Sequence, residues 1–192
     1  MSNNPFLPGS SRARMKRLEP LTLVLVIAAL AAGCGGSKKP PTTAEWADGV
    51  CSAVSTWEDS LKSAAQPVTN GSVSKDSLQT AADDAESSTK TLKSDLTKLG
   101  KPDTQVGQQA QDQIDTLTTQ LQTDVDTIKS AAEGVSGIGG VTAAVTTATT
   151  TVSTMKTQVN ATIASLEQLD AKGELATAFQ QSSSCQKLKG SG

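Results

Sequence analysis

The chain has 192 residues, 36% of them hydrophobic and 2% aromatic, which fits one globular domain with or without a processed leader. It contains no His and no Tyr, and every Arg lies at or before Arg17, so whatever follows carries its positive charge on Lys alone. With a net charge of only −2 and no guanidinium fork for carboxylates or phosphates, much ordinary enzymology is excluded.

In chain order the first signal is a basic cluster, Arg12, Arg14, Lys16 and Arg17, followed by an uncharged run from Leu21 to Ala32. The run falls well short of the roughly 20 residues that a bilayer-spanning helix needs, and it ends in small residues, so residues 1–33 read as a signal peptide cleaved after Gly33. Met15, which opens Met15-Lys16-Arg17, is a rival start to Met1.

Leu30-Ala31-Ala32-Gly33-Cys34 resembles the lipobox of bacterial lipoproteins. Ala31 stands where that motif prefers a larger aliphatic residue, with Leu30 one place further out. The resemblance implies a thioether-linked diacylglycerol on Cys34, and hence an anchor in the cell membrane at its extracytoplasmic face. The alternative is an ordinary secretory peptide with Cys34 left as a free thiol. Residues 34–41 contain Gly, Ser, Lys and Pro but no apolar side chain beyond Cys34, and read as a flexible tether. Lys38 and Lys39 follow the lipid site, where a plain solvated linker is the favoured role and contact with anionic headgroups the alternative.

Removal of residues 1–33 takes four basic groups and one acidic group from totals of 17 and 19, leaving a domain near −5. With no basic stripe and no aromatic platform, nucleic acid is not an expected partner. Once Cys34 carries lipid, Cys51 and Cys185 are the two thiols left in an oxidising compartment, and they are expected to form a disulfide. A loop of that length restricts the unfolded chain by roughly 5 kcal/mol on the chain-entropy model. The alternative, a nucleophilic Cys, would have to find a Lys or carboxylate base.

Residues 42–192 read as a helical bundle domain. Thr42 and Glu45 have capping-box spacing, and Ala47, Val50, Val54, Trp57, Leu61 and Ala64 make a stripe that predicts a helix over 43–65. Pro67 and Asn70-Gly71 are expected to break it. A second helix starts from Ser74 and shows Leu78, Ala82, Ala85, Leu92 and Leu96, with Thr89 standing where a larger apolar residue is expected. Gly100 ends it, and Pro102 with Asp103 signals the next start. A third helix of about 30 residues, roughly 45 Å, runs from Val106 to Val135 and is terminated by Gly137-Ile138-Gly139-Gly140. The fourth carries Val141, Val145, Ala148, Val152, Met155, Val159, Ile163, Leu166 and Leu169, and a strand over Val141 to Val152 is its rival. After Gly173 a last short helix holds Leu175, Phe179, Cys185 and Leu188.

The expected fold is therefore all-α, an elongated antiparallel four-helix bundle with a short C-terminal helix, closed by one disulfide. For the sulfurs to meet, the terminal helix has to turn near Gly173 and return to the first.

Candidate sites are few. Asp83, Asp84 and Glu86, and Asp112, Asp115, Asp124 and Asp126, lack the loop spacing of calcium ligands and read as solvated helix faces, so no metal and no cofactor are expected. Glu58 with Lys62 and Glu86 with Lys90 have the spacing of helix ion pairs. Trp57 belongs to the apolar stripe. Trp46 lies one place off it, with core packing near Phe179, the membrane interface and a ligand crevice as its three possible surroundings. Trp46 and Trp57 are thus the candidate ligand or partner contacts, and Thr146 to Thr151 has the composition of a glycosylated segment.

The lipobox, the Trp-Ala-x-x-Val-Cys opening at Trp46 to Cys51 and the closing Cys185 resemble the small uncharacterised lipoproteins of actinobacteria. Two functions follow as expectations, and neither is enzymatic. One is an interaction or scaffolding module that meets an envelope protein or cell-wall component, for which a closed Ala and Thr seam is expected. The other is a small-molecule binding or sensory bundle, for which an apolar crevice of several hundred Å³ with convergent polar groups is expected.

Overall fold

A computed structural model describes residues 39–70 and 73–190. Gly33, Cys34, both candidate start residues and most of the tether lie outside them. Among the described residues there are six helices and no strand: α1 Thr43–Asn70, α2 Lys75–Leu99, α3 Gly107–Glu133, α4 Gly137–Gln168, α5 Glu174–Gln181 and α6 Ser183–Gly190. The all-α expectation holds, and Val141 to Val152 is helical.

The capping box at the start of α1 forms as its spacing requires. The Glu45 carboxylate accepts from the Thr42 backbone N–H at 2.9 Å and from its hydroxyl at 2.8 Å, while the Glu45 N–H donates back to Thr42 Oγ1 at 3.3 Å. These bonds, the backbone one first, hold the Glu45 carboxyl below its ordinary value.

Four boundaries differ from the sequence expectation. The first helix does not stop at residue 65 but continues through Pro67 to Asn70. A proline in the last turn forfeits one backbone bond, and Val68 beyond it packs against the core. Pro102 does not start the third helix; the chain makes a turn in which the Asp103 N–H donates to Pro41 at 3.1 Å, and α3 begins at Gly107. A Cβ at Gly107 would collide with the Pro102 carbonyl oxygen, so this turn closes only on glycine. Gly137 to Gly140 does not terminate a helix but forms the first turn of α4, α3 having ended at Glu133. Packing of Val141, Ala144 and Val145 on the core outweighs the poor helix propensity of those glycines. Finally, the terminal segment is two helices, broken where Ser182 takes an extended conformation at ψ 127°.

Consecutive long helices pack in series, α1 on α2, α2 on α3 and α3 on α4, while among the described residues α1 and α4 hardly touch. At the end where α1 begins and α4 finishes, α5 and α6 fill the seam between them. Gly173, at φ 72°, turns the chain back, and Leu175, Phe179, Cys185 and Leu188 are all buried there. Cys51 and Cys185 form the expected disulfide, with Cα atoms 4.9 Å apart. Beside it the Ser182 hydroxyl donates to Asp48 Oδ1 at 2.7 Å and accepts from the Cys185 N–H at 3.1 Å, so one side chain caps α6 and fastens it to α1. Lys189 pairs with Glu167 of α4 at 3.1 Å on the other flank.

Candidate functional site

Both tryptophans lie in the core. Trp46 is 1% exposed, meets Phe179 edge-on with centroids 6.0 Å apart, and donates its indole N–H to the Gly100 carbonyl at 2.8 Å. Trp57 is 2% exposed and donates to Thr89 Oγ1 at 3.1 Å. Of the three surroundings open to Trp46, core packing against Phe179 is the one observed, and neither indole offers a face to a ligand or partner. The break that Thr89 makes in the apolar stripe now has its reason, because a buried indole N–H has to find an acceptor.

The acidic clusters are surface features. Among the described residues no group of three potential ligands is placed to hold a metal ion. Asp112 and Asp115 accept from Gln108 and Gln111 one turn earlier, at 2.9 and 3.1 Å. Glu86 does more: Lys129 of α3 donates to it at 2.7 Å, Lys90 donates from its own helix, and Lys129 also reaches Asp83 at 3.3 Å. Those hydrogen bonds, Lys129 first, pull the Glu86 carboxyl down to about 2 and raise Lys129. The group fastens α2 to α3. Lys62 pairs with Asp59 at 3.4 Å and not with Glu58. Thr146 to Thr151 lies within α4, where Thr146 donates its hydroxyl to the carbonyl of Thr142.

The feature whose place sequence reasoning missed is a groove, lined by neither tryptophan. Away from α5 and α6, the seam between α1 and α4 opens into a cavity of about 540 Å³. Its walls are Leu61, Ala64, Ala65 and Val68 of α1 and Val145, Ala148, Thr149 and Val152 of α4; α2 and α3 supply the floor, with Leu78, Ala82 and Ile128 among its residues. The topology explains the width. In an up-down-up-down bundle the end of α1, the start of α2, the end of α3 and the start of α4 share one pole. All four segments carry alanine there, at Ala64, Ala82, Ala132 and Ala144 among others, and side chains that short do not reach across. The volume matches an ordinary ligand site, whereas the convergent polar groups that such sites use for orientation are reduced to Thr149. Near the same pole Ile138 is 88% exposed.

The groove begins about 27 Å from the start of α1, taking 1.5 Å for each residue from Thr43 to Leu61. Among the described residues no helix is long and apolar enough to cross a membrane. Comparison of the chain with protein-family models, with curated proteins and with solved structures finds no match, so the groove is characterised by its own chemistry.

Proposed function

We propose that this protein is a lipid-anchored lipoprotein of the bacterial cell envelope, held through Cys34 at the extracytoplasmic face of the membrane, whose bundle binds an apolar small molecule in the α1–α4 groove. The observation that carries the binding reading is the groove itself, a cavity of ligand size with almost wholly apolar walls. A pure scaffold calls for a closed seam, and this seam is closed at one end only. The anchor reading is supported by the basic and apolar leader, the lipobox resemblance at Leu30 to Cys34, and a disulfide of the kind that persists outside the cytoplasm.

Each half has its own test. Metabolic labelling with a fatty acid marks the wild-type chain and not Cys34→Ala; equal labelling of the two removes the anchor. Nile red, an uncharged apolar dye, brightens on the purified protein, and Ala148→Trp, which fills the groove from α4, abolishes the signal. Dye binding untouched by that substitution assigns the function elsewhere.

A further inference from the structure

Resting on the ligand-binding reading above, we infer that the groove takes one aliphatic chain of a single-chain lipid and recognises that chain without regard to its headgroup. The lining sets the chemistry. Apart from Thr149, every residue around the cavity is Ala, Val, Leu or Ile. Sugars, nucleotides and amino acids carry donors and acceptors that would lose water there and find no partner. A planar ring system finds no aromatic face to stack on, whereas an alkyl chain needs neither.

Size and continuity point the same way. At about 540 Å³ the groove has the volume of a site for a single small ligand, which suits one alkyl chain. The groove also continues the seam that α5 and α6 close at the other end, where Leu175, Ala178 and Phe179 are buried in the same core. An alkyl chain laid along the seam extends that apolar filling.

Lys38–Gly192 is a compact unit of its own, so the test uses residues 34–192 with Cys34→Ala, which removes the protein's own acyl chains as competitors. The probe is cis-parinaric acid, an 18-carbon fluorescent fatty acid. One probe binds per chain, and palmitic acid and hexadecanol displace it with affinities within about threefold of each other. Each methylene removed from the competitor weakens it by about fourfold. Ala148→Phe and Ala81→Phe, which fill the groove from α4 and α2, each weaken the probe at least tenfold while circular dichroism shows the helices intact; the outward-facing Thr123→Phe leaves binding unchanged. Displacement by palmitate but not hexadecanol overturns the inference by showing headgroup recognition, and one probe per two chains overturns it in favour of a site between copies. Nile red binding that Ala148→Trp abolishes, with no parinaric acid binding, defeats this inference and leaves the broader proposal standing. Absence of both signals defeats both.

Discussion

The indole N–H of Trp57 donates to the hydroxyl of Thr89 across the α1–α2 contact, and both side chains are buried. Thr89→Val keeps the shape of that side chain but leaves the N–H without a partner, and it is expected to lower the unfolding free energy by about 1–3 kcal/mol. Trp57→Phe in the Thr89→Val background removes the orphaned donor, so the two substitutions together cost less than their sum. Urea denaturation of the four proteins measures this, and strict additivity would show that the hydrogen bond contributes nothing.

The disulfide bridges most of the bundle's length in sequence, from Cys51 on α1 to Cys185 on α6. Reduction, or Cys51→Ala with Cys185→Ala, is expected to lower stability by about 2–5 kcal/mol. Denaturation with and without dithiothreitol reads this out directly. Identical midpoints would mean that the unfolded chain gains no freedom when the bridge opens.

Asp48 and Ser182 form a second, non-covalent fastening beside it. Ser182→Ala removes the cap of α6 and is expected to cost about 1–2 kcal/mol. The hydroxyl of Ser182 first, then Ser184, hold the Asp48 carboxyl below its ordinary value. A depressed folded pKa contributes stability above the unfolded value of about 3.9, and the contribution is lost as pH falls through the folded one. Carboxyl-detected NMR should therefore show Asp48 titrating late in the wild type and earlier in Ser182→Ala.

Among the described residues Glu86 is the most strongly shifted carboxyl, at about 2 against an ordinary 4.5. Its pairing supports the fold fully above pH 4.5 and loses that support as pH falls toward 2. Lys129→Met is expected to raise the Glu86 midpoint, because Lys129 is the largest cause of the shift. A midpoint that stays near 2 in that variant would assign the effect to Lys90.

Much of this fold was legible in the residues. The stripe from Ala47 to Ala64, the Thr42–Glu45 capping box, the Gly100 stop and the Cys51–Cys185 pair all follow local rules whose consequences are local or topological. What escaped was set by tertiary packing. Nothing in residues 63–70 says that Val68 will find core to cover, so Pro67 read as an end; Gly137 to Gly140 read as a loop because propensity was judged without α4's contacts. The groove had a signal that pattern reading passed over, alanine recurring on four helices at positions the bundle brings to one pole. Short side chains let helices approach where a turn joins them, but α1 and α4 have no shared turn to hold them close, and there the same alanines leave a gap. Thr89 was noticed as an anomaly, and only the position of Trp57 supplies its explanation.

The covalent bridge and the open part of the seam sit toward opposite ends of α1. At the fastened end α5 and α6 reach from α1 to α4, whereas at the other α1 leans on its own neighbour α2, and α4 on α3. On the proposed binding reading, a guest in the groove therefore lies remote from the disulfide, and filling the one leaves the other untouched.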